Sequence, residues 1–193
     1  MTEVMDPVHL LKCIRNNWLN QKSDGRCFFY PKFDSVNAVT DIADFKTARF
    51  TTIRDLYNLE SDNLVKYDFK LNLKALAPSS FKRQNVKLVL CIFNEHVAQA
   101  LAEFGQKKNL LHSKDTSDFL KIIITWWQIV NVKISNKRKR LNNRYQEPLS
   151  YDEKDIKLSF LENFLKLIDN WEKMNFSSGT FIYIYILRKQ GLL

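Results

Sequence analysis

Apolar residues recur every three to four positions in five stretches of this 193-residue chain, the spacing that lines up one face of an α-helix. The first runs Val8, Leu10, Leu11, Ile14, Trp18, with Asp6 at the N-cap position and Pro7 at the first helical position. The second begins at Asp41, takes in Ile42, Phe45, Ile53, Leu56 and Tyr57, and fades into the polar residues Glu60 to Asn63. After a connector ending at Pro78-Ser79-Ser80 comes Val86, Val89, Leu90, Phe93, Val97, Leu101, Phe104, read as one amphipathic helix closed by Gly105 at C′. Asp115-Thr116 can cap a fourth helix through Phe119, Ile122, Ile123, Trp126, Trp127 and Val130, apolar around most of its circumference and therefore expected at the centre of the core. The fifth has Ser150 and Glu153 in capping-box spacing and an apolar face of Ile156, Phe160, Leu161, Phe164, Leu165, Ile168 and Trp171.

Three segments break this pattern. Cys27 to Pro31 is short and aromatic, either a brief extended piece or a loop. Lys133 to Arg144 carries Lys137, Arg138, Lys139 and Arg140 in succession, suited to phosphate contact or nuclear import, or simply to a solvated loop tip. Phe181 to Leu187 is β-branched and aromatic without charge, a strand or an aggregation-prone end. Four Gly and four Pro against 14 Phe, seven Tyr and four Trp supply few turns and many bulky anchors, which favours long helices. The expected fold is mainly α, with little or no sheet.

Charge narrows the partners. A net charge of +9 suits a polyanion, because clustered cations release counterions from a phosphate backbone. Cys13, Cys27 and Cys91 are odd in number and lack zinc-knuckle spacing, so neither a disulfide framework nor a zinc module is indicated. No secretory leader pattern opens the chain and no stretch of about 18 apolar residues occurs, which predicts an intracellular protein without a membrane partner. No GxxxxGK[ST] phosphate loop is present.

The segment Asp6-Pro7-Val8-His9-Leu10-Leu11-Lys12-Cys13-Ile14-Arg15-Asn16-Asn17 resembles the D-x-x-H-L-x-K-x-x-R-N signature of P-element-type (THAP-domain) DNA transposases. Further blocks follow in that family's order: Asp41 to Lys46, Leu71 to Phe81, Gln84 to Leu88, Phe119 to Trp127, and Asn131-Val132-Lys133. They are similar to the helical insertion that interrupts the family's RNase H-like core and binds GTP. The resemblance covers roughly Asp6 to Trp171 and implies three segments: 1–35 from the RNase H-like core, 36–175 as the GTP-binding-type insertion domain, and 176–193 as a divergent tail. A helix from the split core would then precede the insertion domain.

The resemblance also implies chemistry. In the family, three carboxylates hold two divalent metals for DNA cleavage and strand transfer. Asp6 matches the second of these, while nothing here matches the first or the Q-D-x-x-E-like third. A lone carboxylate cannot fix two ions about 4 Å apart, so the chain is expected to be a transposase-derived fragment without activity of its own; Asp6 reads equally as a helix N-cap. His9 has no second His at helical spacing and reads as structural. Lys12 and Arg15, three apart, are either phosphate contacts or a solvated face. At the family's GTP site, Trp127 and Asn131 match and Gln128 stands where the family has a carboxylate; Trp127 and Asn131 read alternatively as core. The implied cofactors are GTP and Mg²⁺. The implied partners are DNA and further transposase chains, whether copies of this one or the full-length enzyme, in the nucleus. The other expectation is a domesticated nucleotide- or DNA-binding regulatory protein.

Overall fold

A computed structural model describes residues 6–33, 45–61, 70–132, 143–150 and 155–173. In chain order the elements are α1 (Pro7–Leu19), β1 (Cys27–Pro31), β2 (Phe45–Arg49), α2 (Phe50–Leu59), α3 (Leu73–Leu76), a 3-10 turn (Phe81–Gln84), α4 (Val86–Ile92), α5 (Glu95–Ala100), a π turn (Leu101–Gly105), α6 (Ser113–Val130), a second 3-10 turn (Arg144–Gln146) and α7 (Ile156–Lys173). The two strands pair antiparallel in one small sheet, and the fold is mainly α as expected. Contacts divide the chain into residues 8–30 with 46–121, and 1–7 with 31–45 and 122–193. These units differ from the segments 1–35, 36–175 and 176–193, which follow the resemblance and not compaction.

The first unit is organised around Trp18. Its ring stacks on Phe28 at 5.6 Å and Phe93 at 6.4 Å, and meets Phe50 and Phe119 edge-on at 5.4 and 5.1 Å. Its indole N–H donates to the Ala48 carbonyl at 3.2 Å, so the polar tip of a wholly buried side chain is satisfied. Helical spacing delivers Leu10, Leu11, Trp18 and Leu19 of α1 to this core, and α6 adds Phe119 and Leu120. The sequence placed the core's centre on the fourth helix; in this unit an aromatic from the first helix holds it.

The structure revises three local readings. Phe45 to Arg49, read as helix, is strand β2. The Thr47 N–H reaches the Asp115 carboxylate at 3.3 Å and the Arg49 N–H reaches the Thr116 hydroxyl at 3.0 Å. Tertiary partners for the backbone thus override the apparent helical period. For the same reason Asp115 and Thr116 do not cap α6: they lie inside it and bind β2. The single helix read from Val86 to Phe104 is broken at Phe93, because the Asn94 side chain accepts from the His96 N–H and starts α5 afresh.

Gly105 is not the C′ residue. That role falls to Asn109, at φ 54°, with the Leu110 N–H on the Gly105 carbonyl at 2.9 Å and the Asn109 N–H on the Gln106 carbonyl at 3.0 Å, the two bonds of a Schellman end. Gly105 is small for another reason, since a Cβ there would come within 2.9 Å of the Ser113 Cβ.

Tyr30 donates to the Asp115 carbonyl at 2.7 Å and is fully buried. Burial, reinforced by Asp115 and Asp118, pushes its phenol far above the usual tyrosine range. A raised native pKa keeps stability intact below the unfolded value of about 10 and removes it as pH climbs higher. In an ultraviolet titration, at least one of the seven tyrosines should stay un-ionised until the chain unfolds in alkali; smooth ionisation of all seven near pH 10 in folded protein would contradict this burial.

In the second unit, α7 carries the aromatic core. Phe160 stacks on Phe164 at 6.0 Å and contacts Phe33 at 5.2 Å and Tyr145 at 6.2 Å, while Phe164 stacks on Trp126 at 6.2 Å. The buried face of α7 is Lys157, Phe164, Leu167 and Ile168, rotated from the sequence reading, which leaves Ile156 and Leu165 exposed. Asp155, not Ser150, caps this helix: its carboxylate accepts the Lys157 N–H at 2.9 Å and pairs with the Lys157 ammonium at 2.8 Å. The bond from the Lys157 ammonium, helped by the backbone N–H groups of Lys157 and Ser150, holds the Asp155 carboxyl below the usual range. Glu153, Asp41, the run Lys137 to Arg140 and the segment Phe181 to Leu187 lie outside the described residues.

Candidate functional site

α1 begins at the residue after Asp6, which is exposed, as is His9. Lys12 is half-buried. Among the described residues no three His, Cys, Asp or Glu side chains gather where a metal ion could be held. The described residues therefore assemble no ligand set around Asp6 for the two-metal arrangement that the resemblance implies.

Arg15 departs most from expectation. Read as a phosphate contact or a solvated side chain, it is 0% exposed. Its Nη2 donates to the Arg83 carbonyl at 2.7 Å, which the Asn16 amide also approaches at 3.4 Å, while Nη1 of Arg83 donates to the Asn20 side chain at 2.9 Å. Asn16 of α1 and Asn20 just after it are one turn apart, in line with Lys12, and the two asparagines clasp the turn Phe81–Gln84 at Arg83. The Nε and Nη1 atoms of Arg15 are buried without a partner. Among the described residues no carboxylate pairs with the guanidinium. Burial and then the neighbouring Arg83 bring its pKa down to about 10, the signature of an uncompensated cation.

The sequence reading missed Arg83 and its turn. The signal was available as a charge pattern: from Lys70 to Asn94 there is no Asp or Glu, while Lys70, Lys74, Lys82, Arg83 and Lys87 all fall within it.

The nucleotide candidates lie on the last turns of α6, where Trp127 and Asn131 are both half-buried, four residues apart and joined by the Asn131 N–H to the Trp127 carbonyl at 3.0 Å. Trp126, not Trp127, is the core tryptophan of this pair. The Gln128 side-chain oxygen accepts from the Asn143 amide at 3.0 Å, and Asn143 in turn caps the Arg144–Gln146 turn through the Tyr145 N–H. Gln128 thus serves a structural tie. A guanine edge that presents two N–H donors would find no two-oxygen acceptor at this position.

Fold and site together define a mainly α chain with an uncompensated buried guanidinium beneath a basic turn, and with no metal-ligand cluster among its described residues. No family model and no curated protein matches the sequence. Among solved structures, the chain is similar to the Drosophila P element transposase in its strand transfer complex, with a TM-score of 0.65 and 20% identity, over 97% of this chain and 38% of that one. At that identity the likeness is one of fold, so this chain has a P-element-transposase-like fold and spans 38% of the neighbour's length.

Proposed function

We propose that this chain works as a DNA-associating, non-catalytic part of a transposase system of the P-element type, acting in the nucleus. The observation that carries the reading is the fold likeness over 97% of the chain to a transposase whose structure is a strand transfer complex. The signature from Asp6 to Asn17 and the charge of +9 point the same way.

No catalytic step is assigned. Two-metal cleavage needs several oxygens around each ion, and no group of three or more His, Cys, Asp or Glu side chains that could hold one lies among the described residues. GTP, proposed by lineage at Trp127 and Asn131, meets a neutral amide at Gln128 whose oxygen is engaged by Asn143. Guanine selectivity is therefore not assigned to the site either. A regulatory protein that keeps the fold for DNA contact is the second reading, favoured by the same shortage of ligands beside a strongly basic surface.

Fluorescence anisotropy with labelled DNA tests the proposal, with fluorescent GTP and ATP as parallel probes. The expected result is saturable DNA binding at moderate salt and no preference for GTP over ATP. Absence of DNA binding removes the reading, and tight GTP-selective binding restores a nucleotide function to Trp127 and Asn131.

A further inference from the structure

We propose that the acid-free strip running from α3 through the Phe81–Gln84 turn to the start of α4 is a surface for single-stranded DNA, with Phe81 as a base-stacking platform and Lys74, Lys82, Arg83 and Lys87 along the phosphates. This rests on the DNA-binding reading above and adds to it a place and a strand preference.

Phe81 is 91% exposed and Leu73, nearby on α3, is 61% exposed. A free phenyl face at the apex of a tight turn gains nothing from the fold, and a polar residue would serve the turn as well. Along its own segment, from Lys70 to Asn94, the charge has one sign. Lys74, Lys82 and Lys87 are exposed, Arg83 is partly so, and none of the four pairs with a described carboxylate. The strip is continuous: α3 packs on α4, the Asn72 amide reaches the Cys91 thiol at 3.7 Å, and the stripe Lys12, Asn16, Asn20 borders Arg83 from the side of α1.

Arg15 supplies the second, independent observation. A merely structural clasp needs only a neutral donor, yet a buried cation whose Nε and Nη1 have no partner lies beneath Arg83. Two adjacent cations without an acid cost the fold stability that a polyanion passing over the turn returns. The pairing of an exposed aromatic with flanking cations fits a nucleic acid better than an acidic protein. Stacking onto a base contributes substantially to affinity only when that base has a free face, which an unpaired strand offers and an intact duplex does not.

The test measures binding of a labelled oligothymidylate of about 12 nucleotides, within the usual footprint of such surfaces, and of a duplex of equal length, across a salt series. Phe81→Ala should weaken the single strand roughly ten-fold and leave the duplex within about two-fold, as expected for one lost stacking contact. The pair Lys82→Glu with Lys87→Glu should weaken both and flatten the salt slope by about 1.5 for two lost phosphate contacts. Arg15→Met should weaken binding several-fold while the melting midpoint holds or rises; a purely structural residue would lower both.

Circular dichroism verifies that each variant folds, and the exposed substitutions leave the core untouched. If wild type binds DNA and Phe81→Ala and the lysine pair bind as wild type does, the strip is wrong and the DNA reading survives. If wild type binds no DNA, both fail. If Phe81→Ala changes only self-association, measured by light scattering, the strip is a protein contact and the proposal is overturned.

Discussion

Replacing Trp18 by alanine is expected to lower the thermal midpoint by roughly 15 °C. Large-to-small changes of a buried tryptophan cost about 3–5 kcal/mol, and in a chain of this size each kcal/mol moves the midpoint by about 2–4 °C. The upper part of that range applies because four rings, Phe28, Phe50, Phe93 and Phe119, lose their common partner at once. They come from β1, α2, the end of α4 and α6, so the loss is felt by most of the first unit. Trp18→Phe separates two contributions: it keeps an aromatic ring but leaves the Ala48 carbonyl without its 3.2 Å donor. That variant should fall between wild type and Trp18→Ala in calorimetry. A drop under about 2 °C for Trp18→Ala, less than 1 kcal/mol on the same scale, would mean the ring is not at the centre of the core.

Gly105→Ala carries the second large effect, and its sign is the informative part. Inside a helical turn, glycine to alanine ordinarily gains about 0.5–1 kcal/mol from reduced backbone freedom. At Gly105 the added methyl would lie 2.9 Å from the Ser113 Cβ and 3.7 Å from Leu110 Cδ1, where Ser113 is buried at the start of α6. Overpacking of this kind costs about 1–3 kcal/mol, so after that gain a net loss near ~1 kcal/mol is expected in urea unfolding. Ser113→Gly in the same molecule removes the obstructing atom and should recover most of the loss, a coupling that only direct contact produces. Stabilisation by Gly105→Ala alone would contradict the close approach.

These two sites show what could be read from the chain beforehand. Helix periodicity predicted that Trp18 faces inward, because it needs only local geometry. That it would gather four rings depended on β1, whose Cys27 to Pro31 run was too short to distinguish from a loop, and on β2, whose Phe45 happens to stand at helical distance from Ile53. Gly105 was legible as a special position and misread as to kind, since a C′ glycine and a glycine demanded by a neighbouring helix look identical in sequence. The caps behaved similarly: Asp115 and Thr116 have ideal capping chemistry, and β2 claims it instead. At the site, the resemblance singled out Arg15 and Asn131 but carried no information about burial. Arg83 was invisible to motif reading, although the missing acids between Lys70 and Asn94 recorded its surroundings. Asp6, Trp127 and Gln128 were likewise singled out by the resemblance, and the tie from Asn143 to Gln128 was not legible in it.

The central claim is that this transposase-like fold meets DNA through charge. The most direct measurement is the dependence of single-strand affinity on salt for the unaltered chain. Four cations along the strip, Lys74, Lys82, Arg83 and Lys87, each neutralising one phosphate, predict a straight line in log K against log salt with a slope of about −3. A flat line, or no binding even at low salt, would contradict the account.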